Sequence, residues 1–74
     1  MLLPDYMFME EKMASIIKNK RIKLKLTQVQ VAKRANISVS TFGDIEKGEG
    51  KISLNMLYVL SGILDIHPGE LLMC

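Results

Sequence analysis

The sequence predicts an all-α fold of five helices in one compact domain. Its 74 residues suffice for a single domain, and 49% of them are hydrophobic, which is enough for a core without disulfides. Serine or threonine stands before three helix-like segments, where helix N-caps are expected, at Thr27, Ser38 and Ser53. No segment alternates apolar and polar residues like a strand, and no Asn-Gly or Asp-Gly pair marks a hairpin.

The predicted domain occupies residues 10–74, and residues 1–9 are expected to form an N-terminal arm. The arm is apolar, but Pro4 and Asp5 interrupt it and no basic segment precedes it, which argues against a signal peptide. No apolar run approaches the roughly 20 residues that a membrane helix needs. We therefore expect a soluble, cytoplasmic protein.

The first helix is predicted from about Glu10 to Leu24, with Met13, Ile17 and Leu24 on one face. Lysines cover much of the rest of this helix. The last helix is predicted to be short and to begin near Pro68, because proline suits the first turn of a helix.

The second and third helices have recognisable ends. The sequence TQVQ is a capping box, in which the Thr27 hydroxyl accepts from the amide of Gln30 and the Gln30 side chain reaches back. Asn36 tolerates the left-handed conformation with which many helices stop. Ser38 then caps the third helix, and Gly48 is expected to close it.

The fourth helix, predicted from its cap at Ser53 to about Leu64, has two apolar stripes. The inward stripe comprises Leu54, Leu57, Leu60, Ser61 and Leu64. The second stripe comprises Met56, Val59 and Ile63. A helix that is apolar on two sides is usually buried on two sides, and the sequence offers the second stripe no evident partner within the chain. We predict that this stripe forms the interface of a homodimer; the alternative is that the N-terminal arm folds over it.

Positive charge is concentrated in one part of the chain, although the net charge is only +2. The segment 18–34 contains no acidic residue, and its basic residues are Lys18, Lys20, Arg21, Lys23, Lys25, Lys33 and Arg34. Such a block is expected of a protein that binds a polyanion, and it also fits a solvated helix face. One histidine and one cysteine are too few for an ordinary metal site, and we expect no metal or cofactor.

Several motifs follow one another between residues 21 and 72. They are Leu-Thr-Gln at 26–28, Ala32, Asn-Ile-Ser-Val-Ser-Thr at 36–41, Ile-Glu-Lys-Gly at 45–48 and Ser-Leu at 53–54. No single one is specific. In this order and at these spacings, the segment resembles the lambda-repressor-like helix-turn-helix domains, which include phage repressors and the controller proteins of restriction–modification systems.

The resemblance implies a five-helix fold whose third helix enters the major groove of double-stranded DNA. Two copies of the chain would then read two half-sites about one helical turn apart. The family often pairs an arginine late in helix 1 with a glutamate near the end of helix 3, and Arg21 and Glu46 occupy these positions. Such a fork would lock helix 1 to the third helix; the alternative is that both side chains are solvated.

The resemblance also places Val39, Ser40 and Asp44 at the base edges, with Gly43 beside them. Val39 can pack on a thymine methyl, Ser40 can donate or accept, and Asp44 can accept from an amino group of cytosine or adenine. In the alternative reading, Val39 only shields the turn and Asp44 pairs with Lys47 at i+3. Gly43 costs about 1 kcal/mol relative to alanine within a helix, and it either permits close approach to DNA or is incidental.

The residues implied in phosphate contacts are Gln28, Ser38, Thr41, Lys47 and Lys51. Gln28 matches the family position at the start of helix 2, where a phosphate meets free amides and the helix dipole together. The alternative for Gln28 is ordinary helix-start composition. Because the base-reading residues include no arginine, most of the affinity is expected from phosphate contacts and dimerisation.

These observations favour a sequence-specific, DNA-binding transcriptional regulator that acts as a homodimer on a palindromic operator. The alternative is an antitoxin-type or other protein-interaction module with the same fold, which would bind a protein partner through the arm and the second stripe. We do not expect an enzyme, because no nucleophile–base pair or carboxylate pair has a plausible shared pocket. His67 is expected to cap the last helix or to lie exposed.

Overall fold

Five α-helices follow one another in the computed structural model, which describes residues 5–49 and 52–72. They are α1 (Asp5–Lys23), α2 (Gln28–Ala35), α3 (Val39–Glu46), α4 (Leu54–Leu64) and α5 (Pro68–Leu72). No strand occurs among these residues, and the predicted all-α class is confirmed. None of the described helices combines the length and the apolar character needed to cross a membrane.

The helix α1 begins earlier than the sequence suggested. It starts at Asp5, not near Glu10, so that part of the segment predicted as an arm is helical. Residues 5–23 contain neither proline nor glycine, so nothing in this segment interrupts the helix. At its other end, Leu24 lies beyond the helix and is 40% exposed, so it does not continue the predicted apolar face.

The predicted N-caps of the next three helices are confirmed. Thr27 Oγ1 accepts from the amide of Gln30 at 3.1 Å, and Gln30 Oε1 accepts from the amide of Thr27 at 2.8 Å, which completes the capping box. Ser38 Oγ accepts from the amide of Thr41 at 3.0 Å. Ser53 Oγ does the same for the third amide of α4, at 3.1 Å. These bonds satisfy amides that have no partner within their helix.

Three helices end on a left-handed residue that is not glycine. The residues are Lys25, Asn36 and Asp65, with φ of 59°, 58° and 55°. In each case the next residue is apolar and donates its amide back into the last turn; those residues are Leu26, Ile37 and Ile66. All three also pack in or against the core, so each left-handed residue turns the chain inward. Gly48, with φ of 75°, closes α3 as predicted.

The core is built where α3 packs on α1 and α2, and where α4 packs on α2. The small helix α5 closes the other side against α1 and α4. The largest completely buried side chains are Phe42, Ile17, Leu60, Leu64, Leu71 and Val31. The recognition-helix candidate α3 is therefore supported by two other helices through Phe42 and Ile45.

The two stripes of α4 differ in burial from the prediction. Leu57, Leu60, Ser61 and Leu64 are buried as predicted. Leu54 is 60% exposed, because it is the first residue of the helix and its side chain points back past the helix end. The residues of the second stripe, Met56, Val59 and Ile63, are half-buried and pack against the core of their own chain. The core of the same chain therefore already covers part of this second stripe.

A buried carboxylate joins three helices. Glu46, in the last turn of α3, accepts from Arg21 Nε at 2.6 Å and from Arg21 Nη2 at 3.2 Å, which forms the predicted fork. Glu46 Oε1 also accepts from Gln28 Nε2 at 2.8 Å. Arg21 Nη1 donates to the carbonyl of Leu26 at 2.9 Å. The side chains of Arg21 and Glu46 are only 13% and 3% exposed, so this network replaces water with protein partners.

We predict that Arg21→Ala lowers the free energy of unfolding by roughly 3 kcal/mol, because the Glu46 carboxylate keeps its burial and loses its counter-charge. Gln28→Ala removes one neutral donor to a charged acceptor and should cost less, about 1.5 kcal/mol. Urea titration followed by circular dichroism measures both values. Arg34→Ala is the matched control, because Arg34 is an exposed arginine on α2. An Arg21→Ala variant as stable as Arg34→Ala would contradict a structural role for the pair.

The left-handed conformation of Lys25 predicts that glycine is preferred there. Glycine and alanine both remove the lysine charge, but only glycine adopts this backbone conformation freely. We therefore expect Lys25→Gly to be more stable than Lys25→Ala by about 1 kcal/mol. The same urea titration compares them. Equal stability of the two variants would show that the turn between α1 and α2 is not left-handed in solution.

Candidate nucleic-acid interface

The segment α2–turn–α3 has the arrangement that the sequence predicted for a helix-turn-helix. The helix α2 ends at Asn36, which is left-handed, and α3 begins directly after its cap at Ser38. Between them, Ile37 is half-buried and packs against the core. The amide of Ile37 donates to the carbonyl of Ala32 at 3.0 Å. The turn therefore fixes the angle between the two helices by both a hydrogen bond and an apolar contact.

The outward face of α3 consists of the residues predicted to meet the bases. Phe42, Ile45 and Glu46 are buried on the inner side. On the other side, Val39 is 44% exposed, Ser40 and Asp44 are exposed, and Gly43 is partly exposed; Lys47 extends this face as the C-cap. Among the described residues no ion pair joins Asp44 to Lys47, in contrast to the alternative reading of the sequence. Within the part of the chain that the structure describes, the Asp44 carboxylate thus forms no ion pair.

Several hydrogen-bond donors at the start of α3 remain available to an external group. Ser38 Oγ donates to Thr41 Oγ1 at 2.8 Å and accepts from the Thr41 amide. Because Thr41 Oγ1 is the acceptor in the first bond, its own hydroxyl proton stays available. The amides of Val39 and Ser40 have no partner in the part of the chain that the structure describes. A helix start with free amides, a hydroxyl and a positive dipole end favours an anion.

The start of α2 has similar donors, with one difference from the prediction. The amides of Gln28 and Val29 have no partner within the described residues. The Gln28 side chain, however, donates to Glu46, which the sequence did not reveal. Its carbonyl Oε1 and second amide proton remain available to an external group. Lys51, the last predicted phosphate contact, lies outside the described residues.

The basic residues of segment 18–34 differ in their surroundings. Arg21 is used within the protein by Glu46. Lys20 and Lys23 line an open cleft of about 260 Å³ together with Asp65 and Glu70, so acidic residues lie near these lysines. The exposed members outside this cleft are Lys18, Lys25, Lys33 and Arg34. One of the seven cations counted in the sequence, Arg21, is therefore engaged within the protein, and two others lie near carboxylates.

His67 has the capping role that the sequence suggested. Its Nδ1 accepts from the amide of Gly69 at 3.0 Å, at the start of α5, and the residue is exposed. A Cβ on Gly69 would lie 3.0 Å from that nitrogen, so the glycine makes room for the imidazole.

Comparison with known proteins identifies the same arrangement. A helix-turn-helix family model, HTH_3, matches residues 17–71. The restriction-modification controller protein C.AhdI from Aeromonas hydrophila superposes with a TM-score of 0.77 at 30% identity, over 82% of this chain and 92% of the other. The clp gene regulator ClgR from Corynebacterium glutamicum superposes with a TM-score of 0.82 at 17% identity, over 88% and 69% of the two chains. No curated protein sequence matches the chain significantly.

A mutant of the restriction-modification controller protein C.Esp1396I has a similar structure, with a TM-score of 0.78 at 20% identity over 89% of this chain and 84% of the other. The comparisons at 17% and 20% identity establish the fold alone. The family model spans α2, the turn and α3, and C.AhdI is similar over most of both chains. The chain therefore belongs to the lambda-repressor-like helix-turn-helix family of DNA-binding transcription regulators.

Proposed function

We propose that the protein is a homodimeric regulator that binds a palindromic operator through α3, as a regulator of the controller-protein type. The proposal is supported mainly by the outward face of α3. Apart from the bond between Ser38 and Thr41 in the cap of this helix, the side chains of this face form no bond with the described protein. The 30% identity to a restriction-modification controller protein supports this type of regulator over others in the family.

Base reading would depend on short side chains. Val39 offers an apolar surface to a thymine methyl, Ser40 offers a hydroxyl, and Asp44 accepts from an amino group of cytosine or adenine. None of the three is a bidentate reader of guanine, so each contributes modest discrimination. Sequence-dependent DNA shape is then expected to contribute to specificity as well.

Affinity would come mainly from the phosphates. The free amides and the Thr41 hydroxyl at the start of α3 and the Lys47 ammonium at its end lie beside the base-reading residues along the chain. The bond from Gln28 to Glu46 joins the start of α2, with its own free amides, to the end of α3. Gln28 would donate its second Nε2 proton to a phosphate while its bond to Glu46 holds the side chain in place. Each neutralised phosphate adds roughly 0.9 to the slope of affinity against salt on logarithmic axes.

The proposed dimer interface is the second stripe of α4. Met56, Val59 and Ile63 are half-buried and so keep part of their apolar surface in water. The helix contains no charged residue in its 11 positions, and Tyr58 beside the stripe is 53% exposed. An uncharged and partly exposed helix face of this kind is typical of a contact surface. A two-fold axis here would present two copies of α3 to one face of DNA.

Selection of bound duplexes from random DNA tests the proposed function. We expect the selected sites to share a palindrome whose half-sites lie about one helical turn apart. The absence of any DNA binding at low salt would overturn the proposal. Together with a tightly co-purifying protein, that result would favour the antitoxin-type alternative.

We predict that Asp44→Asn increases affinity for random duplex DNA, because it removes a negative charge that phosphates repel at every sequence. The variant should also change base preference at one symmetric pair of operator positions, by roughly 1–3 kcal/mol per base pair. Fluorescence anisotropy with random and selected duplexes measures both effects. Asp65→Asn is the matched control, because it makes the same charge change on an exposed residue between α4 and α5. If both variants behave alike, Asp44 does not face the bases.

We predict that Ile63→Lys is monomeric, because dimerisation would bury the new ammonium group without a partner. Sedimentation equilibrium at tens of micromolar, roughly the range of moderate protein affinity, compares it with the wild type. Val29→Lys is the control, since Val29 is 61% exposed and lies on α2, away from the stripe. Circular dichroism checks that Ile63→Lys is folded. A wild-type protein that is already monomeric at this concentration would contradict the interface.

A further inference from the structure

Gly43 lies in the middle of α3, and nothing in the described protein requires a glycine there. The residue is helical, and a Cβ built on it would meet no atom within 4 Å. Glycine within a helix is less favourable than alanine, because it loses more backbone freedom on folding. The chain therefore loses stability at Gly43 without a compensating contact of its own.

The missing side chain leaves a notch in the outward face of α3. Val39 lies one turn before Gly43 and Lys47 one turn after it, so these residues border the notch along the helix. Ser40 is the third neighbour, at i−3. Val39 is 44% exposed, and its side chain lies more than 4 Å from the position of a Gly43 Cβ, so the notch is open. The bottom of the notch is the Cα of Gly43, which is part of the helical backbone of α3.

We propose that this notch receives the 5-methyl group of a pyrimidine in the major groove, which in unmodified DNA belongs to thymine. The proposal rests on the proposed function, since it requires α3 to enter the groove. That methyl is the apolar group that distinguishes a thymine edge from the other bases there. Because Gly43 has no Cβ, such a methyl could approach its Cα to van der Waals distance, about 3.5–4 Å.

The notch makes Gly43 a residue that determines specificity. An alanine Cβ would project toward the pyrimidine methyl and, since non-bonded carbons pack about 3.5–4 Å apart, would hold α3 farther from the base. At that position the wild type should prefer a 5-methylated pyrimidine, and Gly43→Ala should lose this preference. The variant should nevertheless be the more stable protein, because the Cβ meets nothing within the chain.

The test compares wild type and Gly43→Ala on operator duplexes in which each thymine in turn is replaced by deoxyuridine, which lacks only the methyl. For the wild type, one symmetric pair of positions should lose affinity by about fourfold for each methyl removed. Gly43→Ala should bind the thymine operator more weakly than the wild type and should bind thymine and deoxyuridine equally at that pair. Sensitivity at the other thymines should be the same in both proteins.

Cytosine and 5-methylcytosine at the same pair of positions separate the methyl from the rest of the thymine edge. The wild type should bind the methylated duplex about fourfold more tightly for each methyl, and Gly43→Ala should not distinguish the two. Equal binding of both duplexes by the wild type would overturn the proposed methyl contact.

Thermal melting provides the stability control. Gly43→Ala should melt about 4 °C above the wild type, and so should Gly62→Ala, where the Cβ position on α4 is equally open. The methyl contact is overturned if no thymine of the operator is sensitive to deoxyuridine, or if Gly43→Ala keeps the sensitivity of the wild type. Either result leaves the proposed function intact, whereas failure to select any DNA sequence overturns both.

Discussion

The buried carboxylate of Glu46 is the constraint on which the arrangement of the helix-turn-helix depends. A carboxylate that is only 3% exposed is costly to bury unless charged and polar groups surround it. Arg21 from α1 and Gln28 from α2 supply those groups, and Arg21 also binds the carbonyl of Leu26 just before α2. The end of α3, the end of α1 and the start of α2 are therefore fixed relative to one another.

This fixation matters because α3 is short. A helix of eight residues is not stable alone, and its orientation must come from its neighbours. Phe42 and Ile45 hold its middle on the core, and Glu46 holds its end. On the opposite face, Val39, Ser40 and Asp44 are exposed and Gly43 is partly exposed. The short side chains and the absence of arginine make the proposed recognition dependent on close approach and on the phosphates.

The local parts of the fold were predictable from the sequence. The capping box at Thr27, the caps at Ser38 and Ser53 and the closing glycine Gly48 depend on residues within one turn of each other, and all were predicted correctly. The left-handed Lys25 was not predicted, because lysine has no preference for this conformation and only the inward turn of Leu26 requires it. The early start of α1 and the exposure of Leu54 were missed because the period of apolar residues does not define the ends of a helix.

The sequence predicted which helices form the candidate DNA-binding site, but it predicted fewer of the contacts between them. The face of α3 followed from the helical period and from the family resemblance, which also suggested the Arg21–Glu46 pair. The bond from Gln28 to Glu46 joins residues on two different helices, and no local pattern records it. The cleft that gathers Lys20 and Lys23 beside Asp65 and Glu70 likewise depends on the fold. Charge along the chain is therefore a poor guide to charge on the surface of this protein.

The proposed function requires DNA to contact the outward face of α3 and the first turn of α2. Titration of the ¹⁵N-labelled protein with an operator duplex, followed by amide chemical shifts, tests this contact. We expect the largest shifts at the amides of Gln28, Val29 and residues 38–47, and little change along residues 11–20. Shifts concentrated at residues 11–20 and around the cleft at Asp65 and Glu70, with α3 unchanged, would contradict it.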